Sequence, residues 1–520
     1  MLKTFSMPIC RQDTRMRLAL AGALVFTLAI VSQPAPASEA EQEQIIPEGV
    51  TKVPYDPDVF RSDPTYEDAP YDAEAQIEIY GGKTKFDPPR VPIELGRDIY
   101  TAGPFQKPST ILGEKNPLAP HFYVYGDFQN VLAFSDNGNV EIGQFAVRAN
   151  LDFDLGITST ERIHWFIRPL DRGGQFTRYQ FAGDDAGDSR SGDNFEHALN
   201  VNLESLFFEG DLGAIAQGLT DEYYNVDLPI ALGFMPLLLQ NGIWLEDAFI
   251  GVAATIPALN SPALDISNFD VTAFYGFDQV DSQAFIDTGG QVANHNVDIF
   301  GLTAFVDAAN GYFEFGYGYS DGEGNLDRFN YHNLMFAYTR RYEPWLSNSV
   351  RVLWNTGQDL NGAGAQTADG VLLLVENSLI TSLPSTLVPY LNLFVGLDKP
   401  QGLGQQGRGV LKNTGLNFET DAITAFPKLD DTANDTFGGA LGIEYLFALD
   451  QQIVVEVASV QVIGSANAAG RVAVDDQYAV GFRFQLPISA AWILRWDGMY
   501  GIRDSDRDIA GFRFEIRRKF

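Results

Sequence analysis

Between Val147 and Ile157, apolar and polar residues alternate one for one. Val147, Ala149, Leu151, Phe153, Leu155 and Ile157 interleave with Arg148, Asn150, Asp152, Asp154 and Gly156. A side-chain period of two places the first set on one face of a strand and the second on the other. After Thr158-Ser159-Thr160 the pattern resumes, with Ile163, Trp165 and Ile167 against Arg162, His164 and Arg168. Two such strands joined by a short polar turn predict a β-hairpin. Pairing of residues 157 and 163 would set Asp152 opposite Arg168 on the polar face.

The same rhythm continues to the C-terminus. It predicts strands near 122–134, 141–157, 161–169, 196–208, 227–238, 243–256, 265–277, 297–307, 311–319, 331–341, 347–356, 369–381, 387–397, 437–448, 452–463, 475–486, 490–502 and 511–520. The count is eighteen, an even number, so the chain enters and leaves the sheet at one rim. Connections on one side, such as 158–160, 308–310, 382–386 and 487–489, are short. Those on the other, such as 170–195, 278–296 and 398–436, are mostly long. Two break the rule: 239–242 is a short turn on the long side, and 209–226 is a long link on the short side, with room for a helix or a missed strand pair.

No run after residue 31 approaches the ~20 apolar residues of a membrane helix. Mean hydropathy is only −0.08, with 12% aromatic residues and 50 glycines. A transmembrane β-barrel has such values, because its lipid-facing residues occupy alternate positions. The fold expected is therefore all-β, a transmembrane antiparallel barrel of about eighteen strands over 119–520, with short periplasmic turns and long external loops.

The N-terminus fits export. Arg15 and Arg17 precede the apolar run Leu18–Val31, and Ala35-Pro36-Ala37 offers a small-x-small cleavage site, so 1–37 reads as a signal peptide. The one cysteine, Cys10, falls within it. Residues 38–118 are acidic and punctuated by Pro47, Pro54, Pro57, Pro64 and Pro70. They read as a periplasmic extension, or as a plug folded into the barrel.

The last strand, Gly511–Phe520, carries Phe512, Phe514, Ile516 and Phe520 on one face and Arg513, Glu515, Arg517 and Lys519 on the other. Arg518 departs from the pattern, on the apolar side near the membrane edge, where a long side chain can snorkel. Trp492, Trp496 and Tyr500 share the apolar face of the preceding strand, and Trp345 falls in a turn, as interfacial aromatic girdles require. This strand, with its terminal aromatic residue, resembles the closing strand of Gram-negative outer-membrane barrels. The resemblance implies that Phe512, Phe514, Ile516 and Phe520 form the signal read by the barrel-insertion machinery. Leader, alternating strands and C-terminal signal together resemble the porin class across 119–520. Eighteen strands is also the number in the alginate-export and basic-amino-acid porins. Ile230–Leu237 followed by Asp247-Ala-Phe-Ile-Gly-Val is similar to paired strands of the export group. That group is expected to have a strongly cationic lumen, whereas this chain mixes signs, so the likeness carries the fold and the channel class but not the substrate.

The net charge of −33 leaves no basic surface for nucleic acid. It suits loops that meet lipopolysaccharide through divalent cations. Five histidines, His121, His164, His197, His295 and His332, form no metal-ligand spacing. No G-x-S-x-G elbow or phosphate loop occurs. Neither a metal, a cofactor nor an enzymatic activity is expected. Acidic groups at Asp184, Asp185, Asp188 and Asp193, at Asp321, Glu323 and Asp327, at Asp430, Asp431 and Asp435, and at Asp504, Asp506 and Asp508 read as solvated external loops.

The inward positions carry the functional signal: Arg148, Asp152, Asp154, Arg162, His164, Arg168, Arg351, Arg483, Arg495, Asp497, Arg513 and Glu515 as pore-lining groups. Charged rings in a water-filled barrel set which solutes pass. Loop 398–436, with Phe418 and Phe426 among polar residues, is long enough to fold inward as a constriction. The function expected is an outer-membrane channel for small hydrophilic solutes or ions, in contact with outer-membrane lipid and with homo-oligomerisation allowed. Alternatives are an exporter of an anionic exopolysaccharide, an adhesin, or a sheath for an electron carrier.

Overall fold

The computed structural model describes residues 89–520 apart from 98, 100–106, 112, 184–194, 287–291, 343, 361–365, 408, 422, 448–450 and 469–470. The expected leader, residues 38–88, and Asp184, Asp185, Asp188 and Asp193 lie outside the described residues.

Eighteen antiparallel strands close on themselves. In chain order they are β1 His121–Asp136, β2 Glu141–Gly156, β3 Arg162–Ile167, β4 Leu203–Asp211, β5 Pro229–Leu239 and β6 Leu245–Ser261. Next come β7 Ile266–Asp278, β8 Val297–Ala308, β9 Gly311–Gly322, β10 Tyr331–Tyr342, β11 Leu346–Thr356 and β12 Asp369–Leu379. Last are β13 Leu387–Lys399, β14 Thr436–Phe447, β15 Gln451–Val462, β16 Gln477–Pro487, β17 Trp492–Arg503 and β18 Ile509–Lys519. Each pairs with its sequence neighbour, and β18 returns to β1 from Asp127↔Lys519 to Asp136↔Ala510. A closed sheet satisfies its backbone groups internally, which hydrocarbon demands.

Alternation sorts the two faces as expected. Leu302, Leu373, Leu393, Leu441, Val457 and Val480 point outward and stay exposed, while their neighbours Leu374, Ala440, Ala458 and Ala479 are buried inside. That unbroken outer band of Leu, Val and Phe is the lipid-facing belt of a transmembrane barrel. Trp345 and Trp492 are exposed near the rim of short turns, and the Arg518 guanidinium lies 5.6 Å over the Trp492 ring.

The β2–β3 hairpin corrects the predicted register. Leu155 pairs with Ile163 and Asp154 with His164, so Asp152 faces Phe166 rather than Arg168. The cause is Glu161, which belongs to the turn. Its buried carboxylate accepts from the Thr158 and Thr160 hydroxyls and from Asn116 Nδ2. The slip is two residues, so both faces survive it.

β4 also departs from expectation, at 203–211 instead of 196–208. Beyond Ile167 the chain leaves the wall, turns through Gly173-Gly174, and rejoins β2 as Gln175–Ala182; Phe195–Glu196 pairs alongside. Phe176 packs with inward Val131, Ala133 and Ala146 and with Ile423, so the turn 168–176 stands in the lumen as a tongue, while Tyr179 and Phe181 are exposed on the outer face and Gln175–Ala182 continues the wall beside β2. The long link after β4 contains a helix, α1 Leu212–Thr220, started by Asp211, whose carboxylate accepts from the Ala214 and Leu228 amides. Of the expected extension, Ile93–Leu95 pairs antiparallel with Phe122–Val124, where β1 outruns β18.

Loop 400–435 folds into the barrel, and the short tip between β5 and β6 explains how it seats there. β6 pairs with β7 only from Ile250. Its first residues leave that neighbour and pair in parallel with Gly404-Gln405. Trp244, fully buried, donates from Nε1 to Asn333 Oδ1 at 3.0 Å, and Tyr331 donates to Gly402 O at 2.9 Å. The stretch Phe315-Gly316-Tyr317-Gly318-Tyr319 serves both faces, with aromatics toward lipid and glycines toward the plug. A Cβ at Gly318 would sit 2.6 Å from Leu403. Leu403, Val410, Leu411, Phe418 and Leu429 are essentially inaccessible, packed with Trp244, Phe249, Phe285 and inward wall residues.

Charge on the outer face should be costly and on the inner face tolerated. Leu302→Arg, near the middle of β8, is expected to destabilise the barrel by about 2–4 kcal/mol. Thr303→Arg, one residue along and inward, is expected to cost less. Urea titration of both variants in lipid vesicles measures the difference.

Candidate functional site: the charged lumen

All twelve residues predicted to line a pore stand at inward positions, and the structure gathers most of them into three ionic groups. The densest lies on β16–β18. Asp497 Oδ1 takes Arg483 Nε at 2.7 Å, and its Oδ2 takes Arg495 Nε at 2.7 Å and Arg513 Nη1 at 3.2 Å. Arg513 also pairs with Glu515, which in turn holds Arg517 Nε at 2.7 Å. Asp497, Arg513 and Glu515 are buried. A second group joins β9, β11 and β12, where Arg351 bridges Glu314 at 3.0 Å and Glu376 at 2.7 Å.

The third group lies on β2–β4. Arg162 meets Glu209 at 2.5 Å and Asp154 at 3.8 Å. His164 Nε2 is 3.3 Å from Glu209 and stacks on Phe207. Arg168, released from its expected partner Asp152, pairs instead with Glu204 at 3.4 Å and with Asp171 of the tongue at 3.9 Å. Arg148 differs from the other predicted arginines. Among the described residues it forms no ion pair, and its guanidinium sits 5.4 Å over the Phe176 ring.

The inward loop is fixed to this network by residues that sequence reasoning did not single out. Glu456 of β15 is buried and accepts four hydrogen bonds. Asn417 N and Nδ2 reach Oε1 at 2.8 Å each; Leu416 N and the Tyr390 hydroxyl reach Oε2 at 2.7 and 2.6 Å. Glu419 meets Arg483 at 2.9 Å and Asp421 meets Arg513 at 3.3 Å. The available signal was Glu456 itself, an inward carboxylate within Val454-Val455-Glu456-Val457-Ala458.

The acidic group at Asp430 and Asp431 is not a solvated exterior loop, because both residues are buried where loop 400–435 seats. Asp431 pairs with Lys428 and accepts from Gly409 N at 3.0 Å. Asp430 accepts from the Thr432 amide and hydroxyl, and its own amide donates to Gln477. Burial pushes the Asp430 carboxyl up to about 6, with neighbouring Asp431 adding to the rise and Lys428 opposing it.

No protein-family model and no curated protein matches the chain. Among solved structures it is similar to a BenF-like porin from Pseudomonas fluorescens Pf-5. That match has 10% identity over 77% of this chain and 98% of the porin, with a TM-score of 0.51. It is also similar to the outer-membrane protein OpdK from Pseudomonas aeruginosa, at 12% identity over 77% and 98% of the two chains, TM-score 0.48. The fold is that of an outer-membrane porin.

Two outcomes follow for the loop. Glu456→Ala leaves four donors without their acceptor, and is expected to cost about 2–4 kcal/mol in denaturant titration and to expose 403–434 to protease. Asp430 carries a folded value above the ordinary carboxylate value. Its contribution to seating the loop is therefore whole below about pH 4 and lost as pH rises through about 6. Once the intrinsic pH dependence of amide exchange is divided out, protection over 400–435 should be greater at pH 5 than at pH 7.5, and Asp430→Asn should flatten the difference.

Proposed function

We propose that the barrel is an outer-membrane channel through which small hydrophilic solutes diffuse, with its rim of short turns in the periplasm. The observation that carries this reading is the contrast in accessibility among inward charges. Arg162, Glu209 and Arg517, toward the turn rim, keep side-chain exposures of 46%, 35% and 30%, whereas Arg351 and Arg513 keep 4% each. Water thus reaches a polar vestibule on one side, and loop 400–435 narrows the other. At mid-depth the wall of β1–β4 is the more accessible, with Arg168 at 26%. The passage runs along that wall, past Arg148, Asp152, Arg168 and the tongue, rather than through the packed loop. The remaining predicted residues, Asp154, Arg162 and His164 below and Arg351, Arg483, Arg495, Asp497, Arg513 and Glu515 opposite, shape the field across it.

Transfer needs no chemical step, only filtering by size and charge. Export of an exopolysaccharide chain would require an uninterrupted lumen, and the seated loop interrupts it. The N-terminal portion, 38–118, serves in this reading as a periplasmic extension attached at the turn rim, and Phe512, Phe514, Ile516 and Phe520 serve as the insertion signal.

Planar-bilayer recording of the refolded protein tests the channel. Ohmic single-channel steps are expected, and Arg148→Ala should shift the reversal potential in a salt gradient toward greater cation preference. Silence from a sample shown to be folded would overturn the channel and favour an adhesive barrel.

A further inference from the structure

Helix α1 is built inside out for a helix in water. Leu212, Ile215, Ala216 and Leu219 recur at the spacing of one helical face, and that face points away from the protein: Leu212 is 42% exposed and Leu219 73%. The opposite face is small. Gly213 and Gly218 are buried, and a Cβ at Gly218 would lie 2.9 Å from Asn116 Cβ. None of the nine residues is charged. A helix this short is marginal by itself and draws its stability from packing of an apolar face, yet here Leu212 and Leu219, the two ends of that face, are left uncovered among the described residues, with Ile215 and Ala216 half-buried between them.

Its position says what covers it. On β4 the outward, lipid-facing row runs Leu206, Phe208, Gly210, and its next member is Leu212, the first residue of the helix. The stripe therefore continues the lipid belt past the turn rim without a break. Tyr223, 75% exposed, follows the helix, as suits a residue whose ring and hydroxyl prefer the boundary between hydrocarbon and water.

We propose that α1 docks on the phospholipid of the inner leaflet, lying in the membrane interface with Leu212, Ile215, Ala216 and Leu219 in the acyl boundary. The docking presses the glycine face onto the root of the N-terminal extension. Glu114 N donates to Asp221 Oδ1 at 2.6 Å, and Asn116 Nδ2 to Glu161 Oε2 at 2.6 Å. Lipid thereby clips the extension to the barrel rim.

The test uses the full chain with Cys10→Ser and a single Leu219→Cys carrying an NBD fluorophore. It is reconstituted at one barrel per phosphatidylethanolamine–phosphatidylglycerol nanodisc. Lipid spin-labelled just below the headgroup should quench the probe more strongly than it quenches one at Leu302, deeper in the belt, and aqueous iodide should leave it bright. A probe quenched by iodide like one at Ser505, and not by the lipid label, would overturn the proposal. So would a probe shielded from both quenchers, since protein would then be the cover. Leu212→Cys gives the same readout should the first variant fail to refold.

Discussion

A sheet that crosses hydrocarbon cannot keep an edge, because each unpaired amide or carbonyl there costs several kcal/mol. The rest of the molecule follows from that constraint. Closure sets β18 against β1, and eighteen strands make a cylinder too wide for wall side chains to fill. The chain answers with its own connections. The tongue after β3, the tip before β6 and loop 400–435 all turn inward, and the last brings Leu403, Val410, Leu411, Phe418 and Leu429 to complete an apolar core that the wall begins with Phe249, Met335 and Leu372.

Apolar packing places the loop, and charge specifies where. The ionic group on β16–β18 joins four guanidinium groups of the wall, Arg483, Arg495, Arg513 and Arg517, to only two of its carboxylates, Asp497 and Glu515. Glu419 and Asp421 of the loop supply the missing two. Removing charges from water is expensive, and such pairs rarely stabilise more than an apolar replacement would. Their effect here is one of register. A loop displaced by a few residues would leave buried guanidinium groups without counter-charges, so misplacement costs far more than the seated pairs contribute. Glu456 acts in the same way on the backbone, meeting the amides of Leu416 and Asn417 that a loop inside a barrel cannot offer to water.

The faces of the sheet were legible because a period of two survives errors that matter elsewhere. The pairing of Asp152 with Arg168 fails by two residues, yet each predicted lumenal residue keeps its inward side. Turn chemistry decided that register, through Glu161, and alternation carries no information about turns. The same limit explains loop 400–435. Periodicity marks where strands stop, but not whether the following segment meets water or turns back into the cylinder. Its content held a clue, since Leu403, Val410, Leu411, Phe418, Ile423 and Leu429 are too apolar for an exposed loop of that length. The buried Asp430 and Asp431 gave the opposite impression, because paired or hydrogen-bonded carboxylates read in sequence like solvated ones. The link after β4 has room for a helix, but its glycines and missing charges give no strong helical signal that would locate α1.

The seated loop constrains any account of passage. A segment held by apolar burial, three hydrogen bonds to the Glu456 carboxylate and ion pairs to Arg483, Arg513 and Glu246 is not a flap that opens with thermal motion. The wall of β1–β4 differs from the rest at mid-depth in two ways. Its strands are interrupted by the tongue, which sets Asp171 near Arg168, and its inward arginines are less enclosed. Arg148 adds an asymmetry of charge. Paired arginines present a field largely cancelled by their partners, whereas the Arg148 guanidinium rests on the Phe176 ring and keeps more of its charge. In the channel proposed above, the loop and the tongue divide the work between them: one fills most of the cylinder, and the other sets the Phe176 ring under the least neutralised of the inward arginines.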